Sequence, residues 1–326
     1  MFSPFVKSVF RRKALKALII GAAGFVGGYL INELNKSEYT VLATKLKNEK
    51  IEAECEIFDL DVTDAEAVFA LINAQRPEKI FHLAAQSSVK LSWDRPELTV
   101  RVNVLGSLNV LEACKRLKDE YSPTVLMIGS AEEYGKVAPE SCPITEAQPC
   151  NPSNIYALTK QAQNGLAKIY ADAYKMNIIN VRAFNHTGPG QATAFVVSDF
   201  CSQAVSIEKG EKEPVLSVGN LEARRDFTDV RDIVRAYVIL AEKGESGQTY
   251  NVGSGNAVRI ADILDKILSF AKCRIEVRKD PARMRPSDVP IHCADISKIS
   301  RLGWKAEIPI AKTIEDTLDF FRNKQF

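Results

Sequence analysis

The sequence predicts an α/β fold in which a doubly wound parallel sheet, covered by helices on both faces, is followed by a smaller mixed α/β lobe. Three observations support this fold class. Short apolar runs alternate with longer helix-period runs from Lys16 to Gly188, a glycine-rich turn follows the first run, and the alternation breaks down after Gly188. The 326 residues correspond to about two domains. Hydrophobic and charged fractions of 46% and 26% exclude a disordered polymer.

The predicted strands are short, and several are apolar on both faces, as is typical of parallel strands buried between helices. They cover residues 17–20, 39–44, 56–59, 79–83, 124–129 and 178–182. Helices with apolar positions at helical spacing are predicted over residues 25–35, 64–74, 98–118 and 155–174. Sheets of this kind bind ligands beyond the carboxyl ends of their strands, so candidate site residues are sought there.

The second half of the chain is organised differently. Helices are predicted over residues 194–209, 230–243, 260–270 and 313–321, with longer loops rich in Arg, Pro and Gly between them. Residues 230–252 are expected to return to the main sheet. Residues 1–15 are basic and are interpreted as an extension outside the fold. The uncharged run at 17–31 that follows them is shorter than the roughly 20 apolar residues of a membrane span.

Charge and cysteine usage exclude several function classes. The chain has 43 Lys plus Arg against 41 Asp plus Glu, and this balance does not indicate a nucleic-acid or membrane-surface partner. Seven cysteines without a C-x-x-C pair indicate neither a disulfide framework nor a zinc module. The three histidines are widely separated, so no metal site is expected. We therefore expect a reduced, cytoplasmic protein.

The glycine-rich turn is the first candidate site. Gly21, Gly24 and Gly27 follow the first strand and open a helix, the arrangement that allows a tight turn, close approach of a pyrophosphate and close helix–strand packing. The helix N-terminus then offers free N–H groups to the phosphates, and Phe25 and Val26 lie in that first turn. The alternative is a purely structural glycine turn, but the position after the first strand favours a dinucleotide site and a Rossmann-type domain.

The residues at the end of the second strand indicate whether a site of this kind prefers NAD(H) or NADP(H). A site selective for NAD places a carboxylate there for the ribose hydroxyl. This chain instead has Lys45 and Lys47, and Lys45 is placed to meet a 2′-phosphate. NADP(H) is therefore favoured as the cofactor. If both lysines are merely solvated, NAD(H) is accepted as well.

Three side chains form a candidate proton-transfer group. Tyr156 and Lys160 are four residues apart in a predicted helix and project from one face. A free tyrosine titrates near a pKa of about 10, and a nearby ammonium beside an oxidised nicotinamide favours the phenolate. Ser130 follows the predicted strand 124–129 and can hold a substrate oxygen toward Tyr156. Asn103 either helps to order this site or has a structural role in its helix.

These motifs together resemble the extended short-chain dehydrogenase/reductase family from Lys16 to about Arg322. The resemblance rests on G-A-A-G-F-V-G, the Asp59-Leu60 pair, H-L-A-A-Q-S-S-V at 82–89, and Ser130 with Y-x-x-x-K. It implies that Asp59 and Leu60 flank an adenine. It further implies that the cofactor is lined by Leu83, Ala84 and Ala85. Ile20 departs from the family, which usually has threonine before the first glycine. A homodimer built from the helices over 98–118 and 155–174 is also implied.

The family mostly acts on nucleotide-diphosphate sugars, and two motifs of the second half narrow the choice. N-H-T-G-P-G-Q starts at Asn185, and R-P-S-D-V-P starts at Arg285. Within the family these are most similar to the reductases that convert GDP-4-keto-6-deoxy-D-mannose to GDP-D-rhamnose. By that resemblance Asn185 holds the sugar–phosphate region, and Arg225 and Arg285 bind the diphosphate. Ser130 would contact the substrate as well. The guanine follows from the resemblance alone.

The predicted domains are therefore an NAD(P)-binding Rossmann domain over residues 16–187, to which 230–252 return, and a substrate-binding lobe over 188–326. Three alternatives stay open. The first is a GDP-mannose 4,6-dehydratase, because Glu132 lies where those enzymes keep a catalytic glutamate and is therefore a possible acid/base group. The second is a nucleotide-sugar 4-epimerase. A dinucleotide-sensing regulator belongs to another class, although such proteins typically lose the Tyr or the Lys.

Overall fold

The computed structural model describes residues 14–283 and 289–324. Its strands are β1 (Lys16–Ile20), β2 (Thr40–Lys45), β3 (Glu56–Asp59), β4 (Lys79–His82), β5 (Thr124–Ser130), β6 (Ile178–Ala183), β7 (Asn185–Thr187), β8 (Val215–Val218), β9 (Arg224–Asp229), β10 (Thr249–Val252), β11 (Ala257–Arg259), β12 (Glu276–Lys279) and β13 (Ile291–His292). The helices are α1 (Phe25–Lys36), α2 (Ala65–Gln75), α3 (Val89–Asp94), α4 (Pro96–Val100), α5 (Gly106–Leu117), α6 (Ile155–Tyr174), α7 (Val196–Glu208), α8 (Val230–Lys243), α9 (Ile260–Phe270), α10 (Ser297–Ser300) and α11 (Ile310–Asn323).

The main sheet is parallel and doubly wound, as predicted. Its strand order is β10-β6-β5-β4-β1-β2-β3, and every neighbouring pair is parallel. The chain leaves β1 toward β2 and β3 on one side and then crosses to β4 on the other. This change of direction opens a crevice at the carboxyl ends of β1 and β4, which is where folds of this type bind nucleotides.

Alternate residues of the strands enter two apolar cores on opposite faces of the main sheet. In β1, Ala17 and Ile19 pack with α1 and α8, whereas Leu18 and Ile20 pack with α2, α5 and α6. The last of these helices carries the candidate Tyr–Lys pair and contacts β5 and β6. The sheet and α6 therefore fix the candidate residues at the carboxyl ends of the central strands.

A second, smaller sheet forms the core of the other lobe. Within it β9 pairs with β7, β11 and β13, while β8 and β12 form a separate pair. Helices α7, α9 and α11 bury their apolar faces in a third core. The lobe is tied to the chain entering α8, because Thr313 Oγ1 donates to Asp229 Oδ2 at 2.7 Å and Arg231 pairs with Asp316 at 2.8 Å.

The helix predicted over residues 98–118 is interrupted, which is a correction to the sequence expectation. It consists of α4, a π-helical turn at Arg101–Leu105, and α5. Asn103 in the turn is fully buried, and its side chain bonds to Gln86 and to Thr159 Oγ1. Ser107 Oγ donates to the Asn103 carbonyl oxygen at 2.6 Å. These side-chain bonds explain why the turn widens although the apolar periodicity continues.

The chain returns to the main sheet through α8 and β10. β10 pairs with β6 in the register Thr249 to Asn180, and α8 covers the core that α1 also lines. Most of the basic extension at residues 1–15 lies outside the described residues, and so does Arg285. Within the described part of the chain, no helix is long and apolar enough to cross a membrane.

Candidate active site

The turn after β1 requires its first glycine. Gly21 has a φ of +87°, and a Cβ atom there would lie 2.5 Å from the Ala84 Cα. The turn is held by Thr44, whose Oγ1 accepts from Gly21 N at 3.0 Å and whose carbonyl accepts from Ala22 N at 2.7 Å. Ile20, directly before the turn, has no polar side-chain atom, and the side chain that holds the turn comes from β2.

The other two glycines of the turn differ in what surrounds them. A Cβ atom on Gly27 would lie 1.9 Å from the Ala22 carbonyl oxygen, so this glycine lets α1 pack on the turn. A Cβ atom on Gly24 would have no protein atom closer than Gly21 O at 3.8 Å. Gly24 thus leaves open space directly before α1, where Phe25 and Val26 lie half-buried in the first turn. A helix N-terminus with space in front of it fits a diphosphate.

The floor beside this turn is formed by the residues that follow β4. The backbone N–H groups of Leu83 and Ala84 both donate to Ile20 O, at 2.9 and 2.8 Å. The two residues and Ala85 are half-buried, and Ala84 lies against Gly21. Small and apolar residues therefore border the crevice where the sheet changes direction, which fits a dinucleotide.

At the ends of β2 and β3, Lys45 and Asp59 form an ion pair. They are register partners, and Lys45 Nζ lies 2.5 Å from Asp59 Oδ1. The lysine side chain is 17% exposed and the aspartate side chain is 55% exposed. Leu60 follows directly, is buried, and donates its N–H to the Lys45 carbonyl at 2.8 Å. The charge of Lys45 is therefore partly neutralised by its neighbour on β3.

Ser130 and Tyr156 meet at the carboxyl end of β5. Ser130 is the last residue of the strand, and Tyr156 lies in the first turn of α6. Burial raises the pKa of Tyr156, a hydrogen bond with the Ser130 side chain opposes this, and the nearby carboxylates Glu132 and Glu133 raise the pKa further. The phenol is thus protonated at neutral pH. The lowered tyrosine pKa expected beside an oxidised nicotinamide stays a prediction.

Lys160 lies one turn further along α6 and is 3% exposed. Its Nζ donates to the Ile128 carbonyl at 2.7 Å and to Gln163 Oε1 at 3.1 Å. Burial lowers the pKa of Lys160 to about 8, and the charge of Glu133 opposes that change. The pKa of the lysine therefore lies close to neutral pH, and its ammonium group is held by uncharged oxygen atoms of the strand and of its own helix.

Glu132 is held at the N-terminus of α6. Asn154 caps this helix by accepting from Ala157 N at 2.8 Å, and its Nδ2 donates to Glu132 Oε2 at 3.2 Å. The glutamate is half-exposed, and its charge raises the pKa of Tyr156. The structure therefore brings the candidate acid/base group close to the Ser130–Tyr156 pair.

Sequence reasoning missed Glu133, which the fold buries completely below this group. Its Oε1 accepts from Ser130 N at 2.9 Å, and its Oε2 forms an ion pair with Arg182 Nε at 3.1 Å. The available signal was the acidic doublet after the strand. The doublet alone does not indicate which carboxylate points inward, since the 3₁₀ turn Ala131–Tyr134 decides that.

The predicted substrate residues lie on the second sheet. Asn185 is exposed on β7, and its register partner on β9 is Phe227, two residues after Arg225. Arg225 is half-buried, and its Nη1 donates to the carbonyls of Arg224 and Val289 at 2.9 and 2.6 Å. The structure thus brings Asn185 and Arg225 onto neighbouring strands.

The two lobes touch beside the glycine turn. The rings of Phe25 and His186 are stacked, with centroids 6.3 Å apart and an interplanar angle of 5°. Tyr29 Oη donates to the Pro189 carbonyl at 2.7 Å. Burial lowers the pKa of His186, whose Nδ1 lies 3.0 Å from the Phe184 carbonyl. The chain before the second lobe therefore packs directly on the helix that faces the open space at Gly24.

His82 belongs to the core at the end of β4. His82 is buried, its Nε2 lies 3.0 Å from Ser107 Oγ, and burial lowers its pKa to about 3. Among the residues of known placement there is no group of three His, Cys, Asp or Glu side chains that could hold a metal ion.

Comparison with known proteins relates nearly the whole chain to one enzyme family. The family model described as GDP-mannose 4,6 dehydratase matches residues 18–317. A curated relative, the GDP-6-deoxy-D-mannose reductase of Pseudomonas aeruginosa, is 33% identical over 76% of this chain and 81% of its own length. The GDP-mannose 4,6 dehydratase of Drosophila melanogaster is 27% identical over 93% of this chain and 85% of its own.

Solved structures of related enzymes have the same fold as this chain. RMD from Pseudomonas aeruginosa, complexed with NADPH, has a TM-score of 0.85 at 29% identity and covers 95% of this chain and 99% of its own. The UDP-glucose 4-epimerase of Thermus thermophilus, in complex with NAD, has a TM-score of 0.84 at 29% identity with the same coverage. With the Rossmann-type sheet and the Ser–Tyr–Lys group, these matches show that the chain belongs to the extended short-chain dehydrogenase/reductase family of nucleotide-sugar enzymes, in the group described by the GDP-mannose 4,6 dehydratase model.

Proposed function

We propose that this enzyme reduces the 4-keto group of GDP-4-keto-6-deoxy-D-mannose with NADPH and forms GDP-D-rhamnose. The observation that carries the proposal is the buried, protonated Tyr156 close to the Ser130 side chain at the carboxyl end of β5, with the buried Lys160 one turn further along α6. The relative with 33% identity is a GDP-6-deoxy-D-mannose reductase, which supports the same reaction. When bound, NADPH would supply the hydride that reduces C4 of the sugar.

The chain's own residues supply the proton. Tyr156 is uncharged at neutral pH because burial raises its pKa, so it can donate its proton to the 4-keto oxygen as that oxygen gains negative charge. Ser130 holds the same oxygen by a second hydrogen bond. Lys160, with a pKa lowered to about 8, is mostly charged at neutral pH and stabilises the phenolate that remains. The proton lost from Tyr156 is then replaced from solvent.

We assign the cofactor to the crevice at β1 and β4. The diphosphate would lie in front of α1, and the adenine end would lie at the ends of β2 and β3. The assigned residues are Gly21, Gly24, Phe25, Val26, Gly27, Lys45, Asp59, Leu60, Leu83, Ala84 and Ala85, with Tyr156 and Lys160 at the nicotinamide end. NADP(H) is favoured because Lys45 is available to a 2′-phosphate and because the related RMD structure contains NADPH. NAD(H) is compatible with a lysine that Asp59 already partly neutralises.

The substrate would lie between the two sheets. Asn185 and Arg225, on neighbouring strands, face it from the second lobe, and Arg285 completes the diphosphate site in our proposal. Arginine forks suit diphosphate oxygens. In this division, residues 16–187 with the returning segment 230–252 form the cofactor domain, apart from β7, whose Asn185 contributes to the GDP-sugar site together with residues 188–326.

GDP-mannose 4,6-dehydratase activity is the second candidate, and Glu132 is the observation that favours it. A dehydratase must remove a ring proton and expel a hydroxyl, and a half-exposed carboxylate held by Asn154 beside Tyr156 is suited to both steps. Several dehydratases are among the relatives, at 25–27% identity. A 4-epimerase ranks third, and a dinucleotide-sensing regulator last, because the complete Ser–Tyr–Lys group would serve no purpose in a sensor.

Two parallel reactions of the purified protein separate these functions. The first contains GDP-4-keto-6-deoxy-D-mannose and NADPH, with NADH as a companion run, and the second contains GDP-mannose with catalytic NADP⁺. The proposal expects stoichiometric loss of NADPH absorbance and a 6-deoxy sugar in the first reaction. A keto sugar that forms in the second reaction without net NADPH change would establish the dehydratase instead.

We further propose that the enzyme is a cytoplasmic homodimer. Large apolar side chains are exposed on the α3–α6 side of the described chain, as expected of a face covered by a second copy. They are Leu91, Trp93, Val100, Leu105, Leu158, Ile169 and Tyr174. All seven cysteines are free thiols, which is typical of a reducing compartment. Light scattering should give the mass of two chains for the wild type and of one for Ile169→Glu, and a monomeric wild type would contradict the dimer.

A further inference from the structure

The carboxylate of Glu133 is enclosed by hydrogen-bond donors from three elements. It lies in the 3₁₀ turn after β5 and has no exposed surface. Its Oε1 accepts from Ser130 N at 2.9 Å. Its Oε2 accepts from Asn164 Nδ2 on α6 at 2.5 Å and from Arg182 Nε on β6 at 3.1 Å. The side chain therefore joins the end of β5 to β6 and to the helix that carries Tyr156.

The charge of this carboxylate is stabilised locally. Burial raises the pKa of Glu133, and Arg182 and the three hydrogen bonds oppose that change. The guanidinium of Arg182 also lies over the ring of Tyr134, 4.7 Å from its centroid. A buried carboxylate with a bonded arginine partner keeps its charge, whereas an unpaired one would become protonated.

Gly129 on β5 leaves room for the carboxylate of Glu133 beside the strand. A Cβ atom on Gly129 would lie 2.4 Å from Glu133 Oε1 and 2.7 Å from Asn164 Nδ2. Any larger residue at 129 would separate the carboxylate from the strand that ends in Ser130. Asn164 lies four residues after Lys160 and so on the same side of α6. The carboxylate thus lies against Gly129, which directly precedes Ser130 and directly follows Ile128, the residue whose carbonyl accepts from Lys160 Nζ.

The negative charge acts on both proton-transfer groups. It raises the pKa of Tyr156 and of Lys160, and for Lys160 it opposes burial. Glu132 also raises the pKa of Tyr156, and Arg182 lowers that of Glu133. Three more titratable groups lie near enough to be affected in turn: Tyr156 raises the pKa of Tyr237, Lys160 lowers that of His82, and Glu133 raises that of Cys150. Glu132, by contrast, is half-exposed and bonded to Asn154 at the N-terminus of α6, so its charge is better screened from Lys160.

We propose that Glu133 is a positioning residue of the active site, whose buried carboxylate fixes the backbone of Ser130 and stabilises the ammonium form of Lys160. This inference rests on the proposed function for the roles of Ser130, Tyr156 and Lys160. Glu133 itself does not touch the substrate. Its effect on catalysis passes through the serine that holds the keto oxygen and through the lysine that stabilises the phenolate.

The direct test follows the titration of Lys160 in the full chain without turnover. Lysine carrying a ¹³C label at Cε is incorporated, and the Lys160 resonance is assigned by its absence in Lys160→Met. Glu133→Gln keeps the size and an acceptor oxygen for Ser130 N but removes the charge. We expect the midpoint of the Lys160 titration to fall by about one pH unit or more in this variant.

Glu132→Gln is the matched control, since it removes an equal charge from the adjacent residue and should leave the Lys160 midpoint unchanged. An unchanged midpoint in folded Glu133→Gln, or an equal fall in Glu132→Gln, would overturn the proposal. If Glu133→Gln does not fold because Arg182 is left unpaired, Glu133→Gln/Arg182→Met removes both charges. A smaller fall is then expected, because loss of the arginine charge opposes the loss of the carboxylate, and its absence overturns the proposal equally.

A second readout uses the reductase reaction. The alkaline limb of the pH–rate profile should move to lower pH in Glu133→Gln by the same amount as the Lys160 midpoint, because the lysine loses its proton earlier. A loss of rate that is uniform across pH would indicate a merely structural role and contradict the proposal. A wild-type protein without reductase activity would refute the proposed function, while the lysine titration would still test Glu133.

Discussion

Replacing Gly24 by alanine should weaken cofactor binding without weakening the fold. The glycine has φ −71° and ψ 170°, which alanine adopts freely, and the added Cβ atom would lie 3.8 Å from the nearest protein atom. We therefore expect the free energy of unfolding to stay within about 0.5 kcal/mol of the wild type. The methyl group would occupy the space in front of α1 that we assign to the diphosphate.

The magnitude follows from the hydrogen bonds that the methyl group would prevent. Displacing the diphosphate from one N–H donor of the helix N-terminus costs about 1.5–3 kcal/mol, the value of a hydrogen bond to a charged group. Since about 1.4 kcal/mol is a factor of ten, the Kd for NADPH should rise roughly tenfold to a hundredfold. Titration of NADPH fluorescence measures the Kd, and urea denaturation measures the stability.

Two further glycines of α1 serve as controls. A Cβ atom on Gly28 would meet no atom within 4 Å, so Gly28→Ala should bind NADPH normally and gain about 0.5–1 kcal/mol of stability. Gly27→Ala should fail to fold normally, because its Cβ would lie 1.9 Å from the Ala22 carbonyl oxygen. Wild-type NADPH affinity in Gly24→Ala would refute the assignment of this turn to the diphosphate, and a loss of more than about 1 kcal/mol of stability would refute the packing argument.

Three other outcomes test the site. Tyr156→Phe should lower the reduction rate by about 10²-fold or more, because the proton donor is lost, while NADPH still binds in the fluorescence titration; an unaltered rate would contradict the role of the phenol. The wild-type reduction rate should fall as pH rises through about 8, because Lys160 is mostly charged only below its pKa. A rate that stays constant up to a pH of roughly 9.5 would contradict the role of the Lys160 ammonium group. Lys45→Ala should weaken binding of NADPH but not of NADH, and equal effects on both cofactors would exclude a 2′-phosphate contact.

The doubly wound fold could be predicted from the sequence because its strands and helices are local patterns. The bounds of α6 and of β3 are those expected from periodicity and flanking turn residues. Local chemistry also placed Ser130 and Tyr156 at one edge of the sheet. The π turn around Asn103 was missed, since it depends on Gln86 and Thr159, which are distant in sequence.

The parts of the site that escaped prediction depend on neighbours across the fold. Lys45 could be recognised as a basic residue at the second strand, but its ion pair with Asp59 follows from the register of β2 and β3. Glu133 could not be told from Glu132, because only the turn after β5 and the arginine on β6 determine which carboxylate is buried. The pairing of two strands and its register depend on residues far apart in the sequence, so a single sequence predicts them only weakly.

The pairing of β10 with β6 means that the cofactor domain is not continuous in sequence, because β7 to β9 and α7 of the small lobe lie between β6 and the returning α8 and β10. A chain that ended after residue 187 would leave the edge of β6 unpaired and would expose the apolar face that α8 covers, including Ile233, Tyr237 and Leu240. Open edges and bare apolar faces promote aggregation. During synthesis, the main sheet is therefore complete only after β10 has emerged, so the cofactor domain should not be separable as an autonomous folding unit.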